Sequence, residues 1–315
     1  MSAPPPYLDA DAVAALLAPA EAVDALEAAL RGGLDPEADP PRAAVAAGPG
    51  AGELLLMPSA SAGAVGVKLV TVAPENVERG LSRIQGVYVL FDAGTLAPAA
   101  LVDGIALTNL RTAAVSALAV RHLAAPEARR LLVFGTGPQA WAHVGALRAI
   151  RPVEHVDVVA RDPGRLEAFA ARCRDAGLSA AVADDVDAAV RAADLIVCAT
   201  TAREPLFDSA GVADHATVVA IGSHEPEARE VDEGLLARAT VVVEARSAAL
   251  REAGDVIAAV GARRCAPEAL HPLDALARGE VDVEPGYPRL FKSTGMAWED
   301  AVLAAALHAR AARRG

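Results

Sequence analysis

Leu131-Leu132-Val133-Phe134-Gly135-Thr136-Gly137-Pro138-Gln139-Ala140 decides the fold. Four apolar residues predict a buried strand. A glycine turn follows at once, and Ala140, Trp141, Val144 and Leu147 then recur at helical spacing, so a helix begins near Pro138. Strand, GxGxxA and helix in this order form the context in which the motif binds a dinucleotide. The first glycine permits the tight turn, the second lets a pyrophosphate approach the backbone, and the small Ala140 lets helix and strand pack closely. Free N–H groups at the helix start hold the negative phosphates. Gly135, Thr136, Gly137, Pro138, Gln139 and Ala140 are therefore the candidate cofactor-binding turn, the alternative being a glycine-rich turn with no ligand.

The rhythm of the chain differs on the two sides of this stretch. From Arg130 onward, strand-like runs at Leu131–Phe134, His155–Ala160, Ser179–Ala183, Leu195–Ala199, Val218–Ile221 and Val241–Val243 alternate with helical segments. That alternation predicts a doubly wound parallel sheet. Earlier come two helical patterns, Asp9–Leu17 and Ala20–Arg31, and a loop rich in Gly, Pro and Asp over Gly32–Pro41. Strand-like runs follow at Glu53–Met57, Val65–Val72, Val87–Phe91 and Ala99–Val102. No helix of useful length separates them, so an antiparallel or mixed sheet is expected there. Asp92-Ala93-Gly94 reads as a hairpin turn. A connecting helix is expected over Leu110–Leu123, capped by Thr108 or Asn109 and ended by Pro126. An amphipathic helix, Ala297–Arg313, closes the chain with basic residues at its C-terminal end. The expected class is α/β, a doubly wound Rossmann sheet plus an α+β domain.

With 315 residues there is room for two domains, and 53% hydrophobic against 22% charged residues describes a well-cored chain. Much of the apolar fraction is alanine and only 3% is aromatic, so the core is built from small side chains. A net charge of −12 argues against nucleic acid or an anionic membrane as the main partner. Met1–Pro6 has neither the basic nor the apolar region of a secretory leader, and no apolar run is long enough to span a bilayer. Cys173, Cys198 and Cys265 lie far apart without a CxxC pair, so neither a metal site nor a disulfide framework is expected, and a reducing cytoplasm is.

The second strand of a dinucleotide fold ends where the cofactor is read. An acidic residue there suits the ribose 2′-hydroxyl of NAD, and an arginine suits the 2′-phosphate of NADP. Val158-Val159-Ala160-Arg161-Asp162 places alanine at the acid position and Arg161 next, which favours NADP(H). NAD(H) stays open through Asp162 if the strand runs longer, and Arg161 also reads as a solvated loop residue. Thr200 and Thr201, after the strand Leu195–Ala199, and Gly222, after the next strand, lie at carboxyl ends of parallel strands, where the ligand crevice forms. The threonines read equally as turn formers.

Three cations stand out in the first domain. Lys68 lies inside the apolar strand Val65–Val72, which suits a wet cleft or an edge gatekeeper. Partial burial would lower its pKa and fit it to bind a carboxylate or donate a proton. Arg111, read as the start of the connecting helix, opposes the helix dipole unless an anion shares the site, and the pair would clamp a carboxylate. Arg42 follows a Pro-Pro pair. Singly, each reads as a surface ion pair. Together in a nucleotide-binding chain they point to an acidic small-molecule substrate.

Gly66-Val67-Lys68-Leu69-Val70-Thr71, Gly86-Val87-Tyr88-Val89-Leu90-Phe91-Asp92, Leu107-Thr108-Asn109-Leu110-Arg111-Thr112-Ala113-Ala114, the Gly135-Thr136-Gly137 turn and Phe291-Lys292-Ser293-Thr294-Gly295-Met296-Ala297 occur in series. Together they resemble the ornithine cyclodeaminase and mu-crystallin family over nearly the whole chain. The resemblance implies a substrate-binding and dimerisation domain at 1–112, an NAD(P)-binding domain at 113–292 and a C-terminal segment, 293–315, that returns to the first domain. It implies a homodimer, and it places Arg42, Lys68 and Arg111 at the carboxylate-binding and catalytic positions. Members include ornithine cyclodeaminases, alanine dehydrogenases and reductases of cyclic ketimines such as 1-pyrroline-2-carboxylate. The cyclodeaminases carry an aspartate in a Gly-Gly-Asp-like turn after the fifth strand of the dinucleotide fold. Here the turn is Ile221-Gly222-Ser223-His224-Glu225-Pro226, with His224 at the aligned position. A histidine relays a proton but does not suit ornithine's ammonium, so the turn resembles the ketimine-reductase branch. Two other readings stay open: His224 only shapes the turn, or a shift by one puts Glu225 in the carboxylate's place. The expected activity is NAD(P)H-dependent reduction of a cyclic imino acid, with Lys68 and His224 as catalytic groups. Ornithine cyclodeaminase, an alanine dehydrogenase-like activity and a non-catalytic ligand carrier are the alternatives.

Overall fold

The computed structural model describes residues 4–48 and 52–314. Residues 1–3, part of the stretch read above for a leader, lie outside the described residues. Two compact units are present, one comprising the chain up to Arg111 and again from Met296, the other Thr112–Gly295.

The first unit begins with β1 (Tyr7–Leu8), α1 (Ala10–Leu16) and α2 (Pro19–Arg31). Asp9 caps α1 by accepting the Ala12 N–H at 2.9 Å. In α2, Val23, Leu26 and Leu30 form the buried stripe that helical spacing predicts. Then come β2 (Ala43–Ala46), β3 (Glu53–Ser61), β4 (Ala64–Val72), β5 (Ile84–Phe91), β6 (Pro98–Asp103) and α3 (Gly104–Leu123), which runs on into the second unit. The sheet is six-stranded, in the order β1-β6-β5-β4-β3-β2. Only the β1–β6 pair is parallel, so the sheet is mixed. Its register sets Met57 against Lys68, Lys68 against Tyr88, and Tyr88 against Val102, all buried on one face. The C-terminal helix, Ala297–Arg314, packs on β3, β4 and α2 and buries Trp298 completely.

The expected cap of α3 is corrected. Thr108 and Asn109 lie inside the helix, which starts at Gly104. Asp103 is the cap: its Oδ1 accepts the N–H of Ile105 at 2.9 Å and of Ala106 at 2.8 Å. Arg111 is therefore two turns into the helix, and its position no longer argues for a clamp made with a helix N-terminus.

The second unit carries β7 (Arg130–Phe134), α4 (Pro138–Ile150), β8 (His155–Val159), α5 (Pro163–Asp175), β9 (Ser179–Val182), α6 (Val186–Ala192), β10 (Leu195–Cys198) and β11 (Thr217–Ala220). It continues with α7 (Glu233–Leu236), β12 (Thr240–Val243), α8 (Arg246–Glu252), α9 (Gly254–Gly261), β13 (Leu270–Pro272), α10 (Leu273–Ala277) and β14 (Arg289–Lys292). The sheet is eight-stranded and parallel throughout, ordered β13-β12-β14-β11-β10-β7-β8-β9. It grows outward in both directions from β7 and β10, as a doubly wound fold does. Two strands were not expected: β13 at the edge, and β14, which inserts between β11 and β12. The core is Val, Ile, Leu and Ala, with the Phe134 and Phe207 rings stacked 5.2 Å apart between centroids.

Candidate functional site

In the second unit the glycine turn takes the form a phosphate needs. Gly135 has φ +109°, and a Cβ on it would lie 2.4 Å from the Ala199 carbonyl oxygen, so no other residue fits. Gly137 precedes α4; nothing lies within 4 Å of where its Cβ would stand, and no side chain caps the helix. Pro138 occupies the first helical position, where its missing N–H costs nothing. Gln139 is half-buried and Ala140 fully buried under the turn. The cradle fits a dinucleotide pyrophosphate on the first turn of α4.

Strand β8 ends at Val159, earlier than a role for Asp162 at the ribose requires. Asp162 instead caps α5, accepting the Arg165 N–H at 2.9 Å. Arg161 is exposed and makes no hydrogen bond or ion pair among the described residues. Thr200 does not offer its hydroxyl outward. It donates to Glu230 Oε1 at 2.7 Å and accepts the Ala202 N–H at 3.1 Å. Thr201 is exposed.

The turn after β11 holds His224 half-buried. Its neighbour Glu225 turns away: 47% of its side chain is exposed, and it accepts from Arg203 Nη1 at 3.1 Å. Gly222 N–H donates to Glu230 Oε2 at 2.7 Å, and Lys292 Nζ donates to the Ser223 carbonyl at 2.7 Å. Glu230 is fully buried, and burial pushes its carboxyl up from the usual range against the opposing pull of Lys292 and its hydrogen bonds to Thr200 and Gly222. Lys292 in turn pairs with the buried Asp255 at 2.9 Å.

In the first unit, Lys68 and Arg111 meet at one carboxylate, and that carboxylate is the chain's own. Lys68 Nζ lies 2.7 Å from Asp300 Oδ2, and Arg111 Nε lies 3.6 Å from Asp300 Oδ1. Arg111 Nη1 also donates to Glu299 Oε2 at 2.9 Å. The side chains of Lys68 and Arg111 are only 1% and 8% exposed, and those of both acids are fully buried. Lys68 is thus neither an edge gatekeeper nor a residue on a wet surface: β4 is an inner strand, and Lys68 faces the C-terminal helix. Burial first, and Arg111 second, bring its pKa down to about 8 against the pull of Asp300. Tyr88, opposite Lys68, is wholly buried, and burial, then Asp300 and Asp39, pushes its phenol up. Tyr88 Oη, Trp298 Nε1 and Asp39 Oδ2 are buried without a hydrogen-bond partner among the described residues, in keeping with a place built for a polar ligand. Arg42 is half-buried just before β2. Ala43 pairs with Leu56, so Arg42 falls on the row of Met57 and Lys68.

Sequence reasoning missed Asp300, Glu299, Tyr88, Glu230 and Asp255. The two acids of the C-terminal helix read as ordinary first-turn carboxylates; Lys292 appeared only within a family stretch and carried no role. The model of the ornithine cyclodeaminase/mu-crystallin family matches residues 7–315. The chain belongs to that family. Family relatives include the Delta(1)-pyrroline-2-carboxylate reductase of Bacillus cereus, 36% identical over 268 residues that cover 83% of this chain and 82% of that protein. The Thermococcus litoralis Delta(1)-pyrroline-2-carboxylate reductase, solved in complex with NADH and L-proline, has TM-score 0.92 and 27% identity, covering 98% of both chains. An archaeal alanine dehydrogenase dimer with bound NAD has TM-score 0.90 and 26% identity, covering 98% of this chain and 97% of that one. Among the described residues no helix is long and apolar enough to cross a membrane.

Proposed function

We propose that the protein reduces a cyclic imino acid, of which 1-pyrroline-2-carboxylate is the model substrate, to the corresponding amino acid with a reduced nicotinamide cofactor. The observation that carries the substrate class is the near-complete burial of Lys68 and Arg111 at one carboxylate cluster. Glu299 and Asp300 already answer these two cations, and a small substrate carboxylate would join the cluster beside Tyr88 Oη and Trp298 Nε1, which are buried without a hydrogen-bond partner among the described residues. Arg111 Nε lies 3.6 Å from Asp300 Oδ1, farther than the 2.9 Å between Nη1 and Glu299 Oε2. Relatives named for the same reaction support the reading.

The cofactor, when bound, supplies a hydride. The chain's own residues do the rest. The turn Gly135–Ala140 binds the pyrophosphate. Arg161 holds a 2′-phosphate and so favours NADP(H) over NAD(H). Arg42, Lys68 and Arg111 hold the substrate carboxylate, and Lys68 or His224 keeps the imine nitrogen protonated so that its carbon accepts the hydride. The reaction balances as imine, hydride and proton giving amine. His224 is the acid–base group of the turn; the outward pairing of Glu225 with Arg203 supports this over Glu225 in that role. The protein acts as a homodimer. The test is oxidation of NADPH and of NADH with a panel of cyclic imino acids, and of 2-oxo acids with ammonia, beside ammonia release from ornithine. Imine-dependent oxidation supports the reading; ammonia release without net cofactor change refutes it.

A further inference from the structure

A single buried carboxylate joins two loops at the carboxyl edge of the parallel sheet. Glu230 Oε1 accepts the Thr200 N–H at 2.8 Å and the Thr200 hydroxyl at 2.7 Å, while Oε2 accepts the Gly222 N–H at 2.7 Å. Thr200 begins the loop after β10, beside the glycine turn of β7. Gly222 begins the turn after β11 that carries His224. Gly222 has no room for a side chain, because a Cβ there would stand 2.1 Å from the Thr200 carbonyl oxygen and 2.5 Å from Glu230 Oε1. The two loops are thus pressed together with Glu230 between them.

Glu230 is itself held from behind. Asp255 Oδ1 accepts the Glu230 N–H at 2.7 Å and the Val231 N–H at 2.9 Å. Asp255 Oδ2 pairs with Lys292 Nζ at 2.9 Å, and the same ammonium donates to the Ser223 carbonyl at 2.7 Å. The Ser223 hydroxyl donates to the Ala228 carbonyl. Every group that reaches Glu230's oxygens is a donor, so two acceptor oxygens are required. A glutamine keeps the volume but has one acceptor, and its amide would face an N–H at one loop or the other.

We propose that Glu230 is a positioning residue that registers the His224 turn to the cofactor-facing loop at Thr200, with Asp255 and Lys292 fixing Glu230 and the turn. This rests on the reading of His224 given above. The experiment compares the parent, Glu230→Gln, His224→Ala and the double variant. It measures kcat and KM for the imine, the pH profile of kcat, the NADPH dissociation constant by protein fluorescence, and Tm.

Glu230→Gln is expected to remain folded, to lower kcat by about ten- to a hundredfold, to shift the limb of the pH profile that His224→Ala abolishes, and to weaken NADPH several-fold. In the His224→Ala background it is expected to change kcat by less than about twofold, because residues acting through one another are not additive. An equal fold-loss of kcat with and without His224 overturns the proposal, as does an unchanged kcat and pH profile in Glu230→Gln. A His224→Ala variant with parental kcat overturns the reading of His224 and the inference built on it; that variant alone separates the two failures. If Glu230→Gln does not fold, Thr200→Val removes one donor and leaves the carboxylate in place. A few-fold loss of kcat that vanishes without His224 supports the proposal, and a loss that persists overturns it.

Discussion

Lys68 was legible as a residue that needs a partner because charge inside an apolar strand needs a reason, whereas Arg111 was singled out on a helix start that the structure corrects. Their partners were not legible. Glu299 and Asp300 stand in the first turn of the C-terminal helix, where acids are common for the sake of the helix dipole, and only the fold brings them to residues more than 180 positions earlier. Glu230 and Asp255 escaped for the same reason, since no periodicity marks a buried polar residue whose partners are distant in sequence. Arg111→Ala is expected to raise the imine KM about ten- to a hundredfold through loss of a charged hydrogen bond. Because it leaves Glu299 buried without this partner, it should also cost about 3–5 kcal/mol of stability. Steady-state kinetics and a denaturant titration measure the two effects, and an unchanged KM would contradict the role given to Arg111. Lys68 supplies a pH dependence. Its folded-state pKa is about 8, below the unfolded value of 10.5. The charged form that binds a carboxylate is therefore present below that folded value and lost above it, so kcat/KM should fall on the alkaline side. Between the two values the unfolded chain holds more protons, so the same group makes stability rise with pH across that window. Lys68→Arg should remove the alkaline limb of kcat/KM; a limb that persists in this variant belongs to another group.

Among the elements, the glycine turn and its βαβ frame were readable because a short buried strand, a strained turn and an amphipathic helix follow one another within twenty residues. The start of α3 was misread for a local reason. Gly104 has poor helix propensity and hides a beginning at Asp103, while Thr108 and Asn109 look like caps. Asp103→Ala should then cost about 0.5–2 kcal/mol in a denaturant titration, whereas Asn109→Ala, within the helix, should cost less. If Asn109 proves the costlier site, the cap assignment is wrong. Strand β14 went unseen because Arg289–Lys292 is four residues with charge at both ends, and its neighbours in the sheet, β11 and β12, lie well before it in sequence. The loop after β8 carries the cofactor prediction. Arg161→Ala should weaken NADPH by about ten- to a hundredfold and leave NADH almost unchanged. Equal losses for both cofactors, read by fluorescence titration, would contradict it.

At the scale of the whole molecule, composition had placed the chain as well cored, and the change of rhythm at Arg130 had separated an antiparallel or mixed sheet from a parallel one. Assembly is less visible in a sequence, because an edge strand and an inner strand read alike. Strand β2 is an edge whose four residues, Ala43–Ala46, are all exposed, with Val45 53% exposed. An uncovered apolar edge invites pairing with another chain. Light scattering should give a dimer at low micromolar concentration, and a stable monomer would contradict the homodimer. In the proposed reaction the protein moves a hydride onto an imine carbon. The most direct measurement supplies NADPH deuterated at the transferable position together with 1-pyrroline-2-carboxylate and analyses the product by mass spectrometry and NMR. The expected result is proline with one deuterium on the carbon bearing the carboxylate, one cofactor oxidised per proline formed and no ammonia. Unlabelled proline, or ammonia released from ornithine without net cofactor oxidation, would contradict it.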